Sequence, residues 1–152
     1  MPEPETLDLT RRESYRFWSE VTTRFADIDE LGHLNNLAAA VYCETGRVEF
    51  RESLYRRHET ERGVGFLVVR MSVDYHAQAH YPGVVAVGTA VVRIGRTSYT
   101  LGQGCFKDGT CFATGETVTV YANLGEHRSL ALPDELRCGL EAHAATPSSV
   151  LT

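Results

Sequence analysis

Hydrophobic and polar positions divide this chain into an alternating stretch, a long stretch of helical period, and then four more alternating stretches. From Ser14 to Arg24, aromatic and β-branched residues (Tyr15, Phe17, Val21, Thr23, with Phe25 just beyond) alternate with polar ones, which predicts a first strand. From about Leu37 to Arg57 the period changes. Ala40, Cys43, Arg47, Phe50 and Leu54 recur at steps of three and four, and Leu37, Val41, Glu44 and Val48 form an adjacent row. Together they predict one long helix with a broad inward face. Gly46 interrupts it at a cost of about 1 kcal/mol relative to Ala, which is best explained by close approach of the helix to a sheet.

Beyond a polar turn at His58 to Gly63, strands are predicted at Phe66–Tyr75, Gly83–Ile94, Thr97–Phe106 and Cys111–Ala122. Gly95-Arg96 and the run Lys107 to Thr110 are hairpin signals between the last three. A short helix is expected to begin at Pro133, with Asp134 and Glu135 in its first turn. Residues 1–12 read as a mobile leader, 13–143 as a single domain and 144–152 as a frayed tail. One strand, one helix and four antiparallel strands make an α+β arrangement. A curved antiparallel sheet of about five strands, wrapped around the long helix, buries it most simply.

Composition narrows the class. The chain has 152 residues, 43% of them hydrophobic, enough for one sizeable core. A net charge of −5 argues against a nucleic-acid partner. No apolar run approaches the roughly 20 residues that would cross a bilayer, so no membrane association is expected. Cys43, Cys105, Cys111 and Cys138 show neither C-x-x-C pairing nor metal-ligand spacing. They read as reduced thiols of a cytoplasmic protein. His76 and His80 are four apart but fall after a strand, beside Pro82-Gly83, and read as loop residues; no metal site is expected.

The chemistry concentrates in Asp27-Ile28-Asp29-Glu30-Leu31-Gly32-His33-Leu34-Asn35-Asn36, immediately before the long helix. Carboxylates, an imidazole and two amides meet there at a helix N-terminus, whose first peptide N–H groups lack intrahelical partners. Such a site suits attack on a polarised carbonyl, with a carboxylate to act and amides to hold developing negative charge. Asn35 also suits the N-cap position.

The pattern D-x-D-x-x-G-H-x-N-N, followed by a helix bearing Tyr42, Glu44 and Arg47, resembles the hotdog-fold acyl-CoA thioesterases of the 4-hydroxybenzoyl-CoA thioesterase type. The resemblance covers roughly Tyr15 to Leu140. It implies a hotdog fold, a homodimer or homotetramer with sites at the subunit interface, and hydrolysis of an acyl-CoA or acyl carrier protein thioester. Coenzyme A would enter as part of the substrate, with no separate cofactor. Asp29 would act as nucleophile or general base, His33 as an orienting group, and amides near Asn36 as the oxyanion hole. Asn35 would border the substrate, while Arg93, Arg96, Thr97, Ser98 and Arg128 would supply contacts for the nucleotide end. Asp27 is expected to be structural, and Glu44 and Arg47 a buried structural ion pair. Two alternatives stay open: a non-catalytic hotdog domain that binds acyl-CoA or another apolar ligand, and an enoyl-CoA hydratase-like enzyme.

Overall fold

The computed structural model describes residues 7–56 and 63–144. In chain order, β1 (Phe17–Thr22) leads through the acidic loop to α1 (Asn36–Leu54). Then follow β2 (Val64–Tyr75), β3 (Val84–Ile94), β4 (Ser98–Lys107), β5 (Thr110–Asn123), the short β6 (Arg128–Ser129) and α2 (Asp134–Ala142). The sheet is antiparallel, ordered β1-β3-β4-β5-β2, with β6 added to β5. This is the expected α+β architecture, with β6 as a minor addition. Irregularities in register at Val68/Arg70, Val91/Arg93 and Cys105/Phe106 interrupt the ladders, and such bulges bend and twist a sheet. The sheet curves around α1.

The predicted β1 was too long at both ends. Single 3-10 turns at Arg12–Ser14 and Phe25–Asp27 bracket it. α1 stops at Leu54, where the Tyr55 amide donates to the Arg51 carbonyl at 2.8 Å. Arg57 and most of the expected His58–Gly63 turn lie outside the described residues.

The buried face of α1 is narrower than the periodicity suggests. Ala38, Ala39, Tyr42, Cys43, Gly46, Arg47 and Phe50 are buried. Leu37, Val41 and Val48 point outward, Leu37 with 77% of its surface exposed, and Glu44 is exposed beside them. Small side chains explain which side won. A Cβ on Gly46 would lie 2.8 Å from Val87 Cγ1 and 3.1 Å from Gln103 Nε2. The helix therefore rests on the sheet along its thinnest stripe. The expected Glu44–Arg47 ion pair is absent among the described residues, because Arg47 turns under the helix while Glu44 faces out.

Two clusters fill the space between helix and sheet. One joins Ala39, Tyr42 and Cys43 to Val85, Val87, Cys105 and Ala113. The other joins Phe50 to Leu101, Tyr99, Tyr121 and the α2 residues Leu136 and Leu140. A third lies on the sheet's outer face, where Leu7 and Leu9 pack with Tyr15, Trp18 and Phe106. Leu7 to Arg12, within the expected leader, thus cover apolar surface that β3 and β4 would otherwise expose. Gly88, Gly102 and Gly104 make room for them: their missing side chains would collide with Tyr15 and Leu9.

Substituting Gly46→Ala should cost about 1–3 kcal/mol through overpacking. Urea denaturation of the two proteins measures it, and equal midpoints would mean the contact with Val87 relaxes freely.

Candidate active site

Asp27 anchors the loop that carries the site. Its side chain is almost fully buried, with residue exposure of 2%. Oδ1 accepts from Arg24 Nε and Nη2 at 3.2 and 2.9 Å, and Oδ2 accepts from the Arg24 amide at 2.9 Å and Tyr42 Oη at 2.7 Å. Burial opposes the charge on Asp27, but the bonds from Arg24 and Tyr42 together outweigh it, so its carboxyl stays below the usual aspartate range. The same arrangement, burial first and then the adjacent carboxylate, pushes the Tyr42 phenol up. The Asp27 carbonyl accepts from the Asn35 amide at 2.7 Å. One residue thus fixes both the entry and the exit of the loop.

Between these fixed points the chain folds back on itself. Ile28 bridges Leu34, and the Asp29 amide donates to the His33 carbonyl at 2.8 Å. Gly32 turns the corner at φ +79°, a conformation that favours glycine. Asp29 is exposed, and its Oδ1 accepts from the Leu31 and His33 amides at 2.8 and 3.1 Å. Its Oδ2 makes no hydrogen bond among the described residues. The carboxylate therefore uses one oxygen to hold its loop and keeps the other available.

Asn35 caps α1, its Oδ1 accepting from the Ala38 amide at 2.9 Å. The amides of Asn36 and Leu37, the first of the helix, have no acceptor among the described residues. They stand at the positive end of the helix dipole. Tyr75 Oη donates to the Asn36 carbonyl at 2.5 Å and ties the end of β2 to this first turn. His33 bridges His80 along the backbone, and their rings meet edge to face with centroids 4.7 Å apart. A cleft of about 190 Å³ opens beside them, lined by Gln78, Ala79, His80, Lys107, Asp108, Thr110 and Phe112.

Asp29, His33, Asn35 and Asn36 are thus brought together on one loop and helix start. The expected nucleotide contacts are not beside them within one chain. Arg93, Arg96, Thr97 and Ser98 lie at the far end of the β3–β4 hairpin, roughly 33 Å of strand away. There the Arg96 carbonyl accepts from the Leu132 amide at 2.9 Å and from Arg137. Arg128, near the same end, pairs with Glu126 at 3.1 Å.

Reading the sequence missed His80 and Tyr75. In sequence His80 reads as a loop residue, because only the fold reveals that the segment after β2 returns against His33. His76, its partner in spacing, instead meets Thr114 Oγ1 at 2.8 Å. Among the described residues no cluster of three His, Cys, Asp or Glu side chains is arranged to hold a metal, and no helix is long and apolar enough to cross a membrane.

A curved antiparallel sheet around one long helix, with an acid-bearing loop at the helix N-terminus, is the hotdog fold of thioesterases. The profile of the Thioesterase-like superfamily matches residues 23–140, and the chain belongs to that family of enzymes. It is 32% identical to a predicted thioesterase from Bacillus stearothermophilus, with a TM-score of 0.78, 87% of this chain and 98% of that one being covered. It is 30% identical to a thioesterase from Thermus thermophilus whose crystal structure holds coenzyme A and zinc. That likeness has a TM-score of 0.77 and covers 89% of this chain and 98% of the other. The uncharacterized protein YsmA of Bacillus subtilis (strain 168) is 25% identical over 143 residues, 87% of this chain and 92% of its own length.

Asp27→Asn should cost about 1–3 kcal/mol, since it weakens bonds to a buried carboxylate. The pH dependence has a definite sign. With its folded pKa depressed, Asp27 contributes stability above the unfolded value of about 4, and that stability is lost as pH falls through the folded value. Urea midpoints between neutral and strongly acidic pH should show the wild type converging on the variant as acid is added. Parallel curves would contradict this.

Proposed function

We propose that the protein is an acyl-CoA thioesterase whose chemistry is carried by Asp29 and the first turn of α1. The observation that supports this most directly is the Asp29 carboxylate with Oδ2 unengaged, across a short loop from the unpaired amides of Asn36 and Leu37. A thioester carbonyl placed between them meets an attacking group on one side and oxyanion donors on the other. Asp29 either takes a proton from a water that attacks, or attacks itself to give a mixed anhydride that water then opens. In both routes the tetrahedral oxyanion collapses with loss of the CoA thiolate, a leaving group good enough to need little acid assistance. His33, steadied by His80, orients the water or the thioester.

Coenzyme A is the carrier that the Thermus relative supports. The nucleotide contacts proposed for Arg96, Thr97, Ser98 and Arg128 then reach Asp29 only across two subunits. Such an assembly has surface available. β2 is an edge strand with Leu67, Val68 and Val69 exposed, and α1 exposes Leu37, Val41 and Val48. An exposed apolar edge of this kind is a pairing site for a second copy. We therefore assign a homodimer, or a tetramer of such dimers, as the active form.

Release of free CoA, followed with a thiol reagent over short, medium, long and aromatic acyl-CoAs, tests the activity. Asp29→Asn should lower kcat at least 100-fold with binding retained. Binding without turnover in the wild type would make this a ligand-binding hotdog domain instead. Sedimentation of the wild type should give a dimer or tetramer, and Val69→Lys should shift it toward monomer; a wild-type monomer would remove the proposed placement of the nucleotide contacts.

A further inference from the structure

Among the described residues, the buried charged side chains are Asp27 and Arg47. Asp27 is fully matched by Arg24 and Tyr42, whereas Arg47 finds no such match among them. Arg47 is 8% exposed and its Nη1 is buried without a hydrogen-bond partner. No carboxylate among the described residues pairs with it. A guanidinium cannot escape by losing its proton, and an uncompensated buried charge is costly. Its counter-group is therefore something that the described residues do not hold.

The surroundings show what kind of group. Asn36, Ala40, Arg47 and Arg51 follow one another along the side of α1 that faces β2. Tyr75 meets Asn36 at one end of this side, and the Arg51 guanidinium stacks 4.8 Å over the Phe66 ring at the other. Between these ends Met71 and Val73 of β2, half-buried against the core, give an apolar wall. The sheet beneath is polar where Arg47 lies. Gln103, Thr117 and Thr119 share the helix-facing side of β4 and β5, and the register sets Thr117 opposite Leu101 and Gln103 opposite Gly115. Gln103 Nε2 donates to the Cys43 carbonyl at 2.9 Å, one turn before Arg47, and to Thr89 Oγ1 at 3.1 Å. Gln103 Oε1, Thr117 Oγ1 and Thr119 Oγ1 are all buried and unpartnered. Four unpaired polar atoms thus gather on one side of an otherwise apolar helix–sheet interface.

Building on the thioesterase reading above, we propose that this side of α1 is the acyl channel and that Arg47 closes it as the receptor for a carboxylate at the distal end of the acyl chain. The guanidinium and the two threonine hydroxyls donate to the carboxylate, and Gln103 Oε1 accepts from a hydroxyl or from Arg47. α1 is the ruler: from Asn36 to Arg47 the helix rises about 16 Å, and side chains lean back toward the N-terminus. A medium-length chain attached at the oxyanion site spans that gap. The preferred substrate class is then an ω-carboxyacyl thioester. A carboxylate of a second copy is the competing partner, but the unpaired groups of β4 and β5 lie on the helix-facing side of the sheet, which an edge-on neighbour does not reach.

The test compares suberoyl-CoA with octanoyl-CoA, which differ only in the distal carboxylate, on the full-length wild type and on Arg47→Met and Thr117→Val. Wild-type kcat/KM should favour suberoyl-CoA at least tenfold, and that ratio should fall at least tenfold in Arg47→Met and severalfold in Thr117→Val. A wild-type ratio near one overturns the proposal, as does a ratio untouched by Arg47→Met. Conversion of Arg47→Met to a smaller oligomer, with both substrates lost together, also overturns it and assigns the guanidinium to a second copy. Titration of free suberate into the wild type by calorimetry adds a readout independent of turnover: saturable binding, competed by CoA thioester and lost in Thr117→Val, is expected. If no thioester is hydrolysed but suberate still binds, the enzyme reading fails while the receptor stands; hydrolysis of octanoyl-CoA without suberate binding does the reverse.

Discussion

A single buried carboxylate determines where the central helix begins. Asp27 accepts from Arg24 before it, from Tyr42 a turn and a half into α1, and through its carbonyl from Asn35 at the helix cap. Everything between must span a gap whose two ends are fixed. That is why the seven residues between Asp27 and Asn35, rich in charge and partly exposed to water, hold one backbone course. The loop's own bonds, Asp29 to Leu31 and His33, then need only to fold a short chain back on itself. The two aspartates of the D-x-D pattern divide the work: the buried one fixes geometry, and the exposed one keeps an oxygen free.

Much of this was legible in the residues. The alternation from Phe66 to Ala122 marks strands because half-buried sheet surfaces require period two, and the hairpin signals at Gly95-Arg96 and Lys107–Thr110 stand at the turns. The helix was legible as well, but its orientation was not. Periodicity placed two adjacent rows together on one broad inward face, whereas only part of that face meets the sheet. Leu37, Val41 and Val48 are left outside, and Ala39, Cys43 and Gly46 lie inside because the sheet comes too close for larger side chains. Hydrophobic size is a guide to burial only when the space available is known.

The candidate site divides in the same way. Asp29, His33, Asn35 and Asn36 are contiguous, so a motif could reveal them. His80 and Tyr75 lie some forty residues away and join the site only through the return of the chain after β2. Arg47 was visible as a charge on a helix, and Glu44, three residues before it on the same helix, suggested its partner. Rotation of the helix separates the two, leaving a permanent cation among unpaired hydroxyls and an amide.

The glycines of the outer face bear on the order in which the molecule can be completed. Leu9 and Tyr15 rest in a trench whose floor is Gly88, Gly102 and Gly104. As the chain leaves the ribosome, the residues that fill the trench emerge long before those that form it. The amino-terminal segment must therefore wait, unpaired, until most of the sheet has been synthesised, and its seating is among the last contacts to form. It serves as a closing seam, and a nascent chain stalled before β4 carries that segment with nowhere to dock.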